Sequence, residues 1–145
     1  MNEIVVHVEV KVNPTEDLEK VKRAVENIFG ALKFEVKSRT WGQLLIAETR
    51  GTHGLTKLSN ILNRERILAA ARKVFRSGMD EKSVKFYLNK QVAYAGHISF
   101  SQQTAESPLG PLNVQIRCDN PRKLIDWLTP RPPPKTRRNP PSRPK

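Results

Sequence analysis

Cysteine is nearly absent from this chain. Cys118 stands alone, so no intramolecular disulfide can close, and the histidines His7, His53 and His97 are scattered without metal-ligand spacing. Neither a disulfide framework nor a zinc site is indicated. Aromatic residues make up 6% of the sequence, which leaves an exposed base-stacking platform unsupported; the phenylalanines and tryptophans are expected in the core. Long apolar runs are missing as well. Nothing approaches the roughly 18 to 20 consecutive apolar residues of a membrane span, and the N-terminus opens on an alternating, partly acidic pattern instead of a basic-then-apolar leader. Both features read as soluble and intracellular. Acids are the other shortage: 14 Asp and Glu face 26 Lys and Arg, for a formal net charge of +12. Such an excess favours polyanionic partners, nucleic acid first and anionic membrane second.

The 145 residues suffice for one compact domain with a real core and are too few for two. Composition changes sharply near position 129. Residues 129–145 carry Arg131, Lys135, Arg137, Arg138, Arg143 and Lys145 without one acid, and seven of the eleven prolines lie from Pro130 onward. With no apolar side chain to offset the entropy of ordering, this stretch is expected to be an extended, disordered tail behind a domain of residues 1–128. Half of the net charge sits in that tail, so the domain itself is only moderately basic.

Within residues 4–12 every even position, Ile4, Val6, Val8, Val10 and Val12, is apolar, while His7, Glu9 and Lys11 take the other parity. This period of two predicts a half-buried strand with one solvated face. After Asn13-Pro14, Thr15 is the expected N-cap of a helix, with Glu16 and Asp17 in its first turn; Leu18, Val21, Val25, Ile28 and Leu32 form its apolar stripe. Phe34 and Val36, then Leu44 to Ala47 beyond a Trp41-Gly42 turn, predict a hairpin. Two helices follow, over residues 52–62 and 64–76, the second ending at Ser77-Gly78. Val84, Phe86 and Leu88 predict another strand, Ile98 and Phe100 a further one, and Leu112, Val114, Ile116 and Cys118 a last one after a turn at Pro108 to Pro111. Asn120 caps a short final helix with Pro121 in its first position. The sum is an α+β domain, a largely antiparallel sheet packed against helices on one face.

On a wheel of about 100° per residue, the expected helix over 64–76 places Arg66, Lys73 and Arg76 opposite its apolar stripe and Arg72 at the flank, with Glu65 the only acid. This is either an ordinary solvated helix surface or a phosphate-tracking face. Asn89-Lys90-Gln91 also admits two compatible readings: Asn89 caps a short helical turn running to Gly96, or Lys90 and the free amides at that turn form an anion site beside the sheet. Tyr87 and Tyr94 are the aromatics that could stack on unpaired bases. His7 and His97 fall on the polar parity of strands, His53 lies near a helix start, and Cys118 takes an inward parity. No motif for phosphoryl, acyl or glycosyl transfer and no cofactor signature occurs, so the chain reads as non-enzymatic. Arg137, Arg138 and their neighbours would neutralise phosphates without a fold.

Several segments together resemble the archaeal uncharacterised protein family 0201, a predicted RNA-binding, exosome-associated family. They are Asn13-Pro14-Thr15-Glu16-Asp17, Ile67-Leu68-Ala69-Ala70-Ala71-Arg72, the block from Phe86 through Asn89-Lys90-Gln91 to Gly96 with Ser99-Phe100, Leu109-Gly110-Pro111-Leu112, and Ile125-Asp126-Trp127-Leu128-Thr129-Pro130. In this order they span nearly all of residues 1–130, and the Asn89-Lys90-Gln91 block is the specific one. The resemblance implies an α+β domain similar to the ribosomal protein that binds the small ribosomal RNA of the large subunit, a role in binding RNA, and an archaeal cytoplasm. It supplies no catalytic residues.

The expected function is therefore a non-enzymatic RNA-binding protein, accessory to RNA processing, that reads backbone and shape through Arg66, Arg72, Lys73, Arg76, Asn89, Lys90, Gln91, Arg137 and Arg138. The alternative is a module that docks on an RNA-processing protein assembly through Trp127 and the prolines beyond it.

Overall fold

The computed structural model describes residues 4–101 and 110–130. The expected tail from Arg131 on, with Arg137 and Arg138, and the first half of the Pro108-to-Pro111 turn lie outside the described residues.

Alternation along β1 (Val5–Val12) decides the architecture. Val6, Val8, Val10 and Val12 are at most 1% exposed, whereas His7 and Glu9 are half-buried on the other side. β1 pairs antiparallel with both β3 (Gly42–Arg50) and β6 (Pro111–Arg117). With β2 (Lys33–Arg39), β4 (Ser83–Asn89) and β5 (Phe100–Ser101) they form one antiparallel sheet in the order β2-β3-β1-β6-β4-β5. Residues directly opposite across an antiparallel pair share a face, so the even residues of β1 align with Ala47 and Leu45 of β3 and with Ile116, Val114 and Leu112 of β6. The helices pack on that apolar face: α1 (Leu18–Phe29), α2 (His53–Arg64), α3 (Leu68–Ser77), α4 (Lys90–Tyr94) and α5 (Pro121–Leu128). Phe75 of α3 meets Phe86 of β4 and Phe100 of β5, with ring centroids 4.8 and 5.7 Å away. Among the described residues, no helix covers the opposite face of the sheet.

Several local expectations change in the fold. Asp17, not Thr15, caps α1, accepting from the Glu19 amide at 3.0 Å, and Gly30 at φ +81° stops that helix before Leu32. A single helix over 64–76 does not form. Arg66 enters the left-handed region at φ +57°, the Ile67 amide reaches back to the Leu62 carbonyl and the Arg66 amide to that of Asn63, closing α2 before α3 begins at Leu68. This six-to-one and five-to-two pattern usually marks its site with glycine, and here an arginine occupies it. The strand expected around Ile98 and Phe100 begins only at Phe100, so His97 lies in the connection after α4. Both tryptophans leave the core: Trp41 and Trp127 are about 40% exposed, on a hairpin turn and on α5.

The described core holds one buried cation. Lys90, 6% exposed, sends its ammonium between α1's approach and the end of β1, donating to the Lys11 carbonyl at 2.8 Å and to both oxygens of Glu16 at 3.1 Å. Glu16 also accepts from the Asn13 amide at 2.9 Å, so the turn before α1 is built around its carboxylate. Burial pulls the Lys90 pKa below the usual lysine range, and the Glu16 carboxylate restores part of the loss. Removing one charge leaves the other desolvated without its partner, which costs about 3 to 5 kcal/mol, whereas replacing both sides costs much less. We therefore expect Glu16→Gln alone to lower unfolding free energy by about 3 kcal/mol and Glu16→Gln with Lys90→Met to recover most of it. Urea unfolding of the three proteins checks this; a double variant no better than the single would disprove the coupling.

Candidate nucleic-acid interface

Of the arginines assigned to a basic helix face, only part remains available. Lys73 and Arg76 are exposed on α3 and border a shallow concavity of about 410 Å³ with Ala69, Arg72 and Ser77. Arg66 is exposed too, but on the connection before α3. Arg72 lines the same concavity but is held by internal bonds. Its guanidinium donates to the Thr129 carbonyl at 3.0 Å and pairs with Asp126, with its side chain only 16% exposed. It thus staples α3 to the end of α5, and Thr129, itself buried, is held where the described chain leaves the fold. The acid in this neighbourhood, Glu65, is engaged. Burial pushes its carboxyl pKa up, but hydrogen bonds from His97 and the Ile98 amide, aided by Arg64, bring it below the ordinary range.

The Asn89-Lys90-Gln91 block serves structure before ligand. The Asn89 side chain accepts from the Val92 amide at 2.9 Å and caps α4, so the capping half of the sequence reading describes what forms. The anion-site half does not hold for Lys90, whose ammonium is enclosed by Glu16 and the Lys11 carbonyl. Gln91 alone of the three is exposed, in a groove of about 370 Å³ between α1 and α4 that also contains Lys20 and Tyr94. Tyr94 is 40% exposed with the Lys20 ammonium 6.0 Å from its ring centroid, and Lys11 stands 5.6 Å from the Trp41 ring. Tyr87 is half-buried on the helix-free face.

That face is the surface the residue-by-residue reading missed. Register places Arg50, Val5 and Arg117 in one row across three strands, and Lys33, Glu48, His7, Gln115 and Lys85 in the next. Cations therefore frame the face while Glu9 and Glu48 occupy its middle. The signal was present in one parity of each strand, even in β3 and odd in β1, β2, β4 and β6, but only strand order could bring the rows together. His7 lies between those acids, 2.8 Å from Glu9 and 3.3 Å from Glu48, with one ring nitrogen facing each carboxylate. No ring nitrogen is left for a substrate. The adjoining open concavity of about 940 Å³ also takes in His53, whose ring contacts Thr49 at 3.0 Å. Among the described residues no group of His, Cys, Asp and Glu is arranged to hold a metal ion, and burial pushes the Cys118 thiol pKa up, away from nucleophilic use. No helix among the described residues is long and apolar enough to cross a membrane.

The sequence model of a family described as RNA binding matches residues 5–118. A UPF0201 protein of Pyrococcus abyssi is 40% identical over 126 residues, covering 87% of this chain and 89% of that protein. Another, from Pyrobaculum arsenaticum, is 43% identical over 127 residues, covering 87% and 89%. Among solved structures, a UPF0201 protein from Methanococcus jannaschii superposes with a TM-score of 0.75 at 35% identity, over 88% of this chain and 99% of that one. Shared sequence and shared fold over almost the whole folded region agree, and the chain belongs to the UPF0201 family of archaeal proteins and matches the family model described as RNA binding.

Proposed function

We propose that this protein is a non-enzymatic RNA-binding protein that holds RNA backbone along the α3 edge, where the basic tail departs. One observation carries the reading. Arg72 ties Thr129 to α3 beside Lys73 and Arg76, so the six cations of residues 131–145 begin next to the exposed cations of the helix. A folded patch followed along the chain by a segment of the same sign can neutralise consecutive phosphates without base readout. The family description supports RNA as the polyanion. Tail cations at Arg137 and Arg138 add affinity without sequence preference, Arg66 extends the patch, and Gln91 with Tyr94 offers a separate polar and aromatic contact. Arg72 acts here by positioning.

The helix-free sheet face supports a second site for the same partner, since Lys33, Lys85, Arg50 and Arg117 border it. The exposed indole of Trp127 beside Pro130 favours the alternative in which the chain docks on a protein assembly that processes RNA.

Fluorescence anisotropy with single- and double-stranded RNA at several salt concentrations separates these readings. For the full chain, Lys73→Glu with Arg76→Glu should weaken binding at least tenfold at low salt and flatten the log–log salt slope by about 1.4 for single strands, two phosphate contacts' worth. A chain ending at Pro130 should keep measurable affinity. Loss confined to Lys33→Glu with Lys85→Glu would move the site to the sheet face, and binding that vanishes with the tail would overturn a folded receptor. For Arg72→Ala we expect a stability loss of about 2 kcal/mol in urea unfolding, from broken bonds to Thr129 and Asp126. Unchanged stability with lost RNA affinity would return its guanidinium to phosphate.

A further inference from the structure

The two edges of the sheet differ. β5 is described only over Phe100–Ser101, whereas β2 offers seven residues and pairs only with β3 among the described strands. The two-residue turn Thr40-Trp41 makes Arg39 and Gly42 a hydrogen-bonded pair, and alternation from there turns the amides and carbonyls of Phe34, Val36 and Ser38 away from β3. The Ser38 carbonyl accordingly takes the guanidinium of Arg39 at 3.0 Å instead of a strand partner. Val36, 37% exposed, is the apolar residue left uncovered on this edge.

Lysines on an edge strand ordinarily discourage pairing, but here Glu35 separates Lys33 from Lys37. We propose that β2 is the interface between two copies of this chain, paired antiparallel about Val36. In that register Val36 meets Val36 on the helix side. On the open side Glu35 of each copy meets Lys37 of the other, and the like charges Lys33 and Arg39 oppose each other only at the ends. The register centred on Glu35 would set Glu35 against Glu35 and Lys33 against Lys37. The register centred on Lys37 puts two lysines at the middle. Registers of odd offset would join the helix face of one sheet to the open face of the other. The chain's own tail fits this edge poorly, because seven of its residues are prolines, which lack the amide a strand needs, and its charge repeats that of Lys33, Lys37 and Arg39. Pairing two copies continues the sheet across the dyad and joins the two helix-free faces into one surface with twice the cations of either. This inference stands without RNA.

Light scattering of the nucleic-acid-free full chain at about 100 µM, roughly a hundredfold above a micromolar Kd, should give twice the 16.5 kDa chain mass. Glu35→Lys places an unbroken row of cations on the edge, and Lys37→Glu places Glu35 against a glutamate. Each should raise the dissociation constant at least tenfold while leaving thermal unfolding of the monomer unchanged. The swap of both, Glu35→Lys with Lys37→Glu, restores opposite charges across the dyad and should restore the dimer. A wild-type mass of one chain, or a Glu35→Lys protein that remains dimeric, would overturn the proposal.

Discussion

A desolvated ammonium organises this protein's best-marked end. Lys90 lies far from water, and an ammonium there is tolerable only if oxygen atoms replace its hydration shell. They come from two places far from Lys90 in sequence, the Lys11 carbonyl at the end of β1 and both oxygens of Glu16 before α1, 79 and 74 residues away from the start of α4. The exit of the central strand, the entry to the first helix and the turn after β4 must therefore meet at one point. Asn89 contributes by capping α4, and Asn27 of α1 donates to the Ala93 and Tyr94 carbonyls, so the short helix is secured from both sides. A polar triplet that interrupts a strand pattern here works as a joint.

The cations of this basic chain divide by burial. Lys90 and Arg72 are consumed by the fold, one under the sheet's end and the other between α3 and α5, where direct hydrogen bonds to carbonyl and carboxylate oxygens replace water. Lys73 and Arg76 remain at the surface, where charge costs little to keep and is available to a phosphate. A basic residue that makes good internal bonds is a poor candidate for an external anion, because binding would first have to break those bonds. Net charge thus bounds the class of partner, and burial decides which residues can meet it.

The sheet imposes a second division. One face is spent on the core, and the other is left to solvent with cations around acids. Antiparallel sheets tolerate this because period-two alternation makes each strand amphipathic by itself. Ring closure would have removed the edges; an open sheet keeps them, and along β2 Glu35 separates Lys33 from Lys37.

Local pattern was enough for the alternating strands, the hairpin, the Asn89 and Asn120 caps, and the α+β class with helices on one face, since each rests on neighbours a few residues apart. It was not enough where two local options were close in energy. Thr15 and Asp17 are both competent caps, and the choice of Asp17 follows Glu16's commitment to Lys90 and Asn13. Arg66 carries no mark of a left-handed residue, and the break between the two helices falls there and not at Asn63; Ile67 and Leu68 pack against the core in a way the helical wheel could not weigh. Tryptophan is apolar enough to suit a core, yet Trp41 and Trp127 fall where no second element covers them. The same limit governs the site. Sequence alone set the sign and excess of charge and the parity of every strand side chain, because these are properties of covalent order. Which lysine is buried, which arginine is bonded and which strands stand side by side were decided only in three dimensions, because desolvation depends on neighbours that the chain supplies from far away.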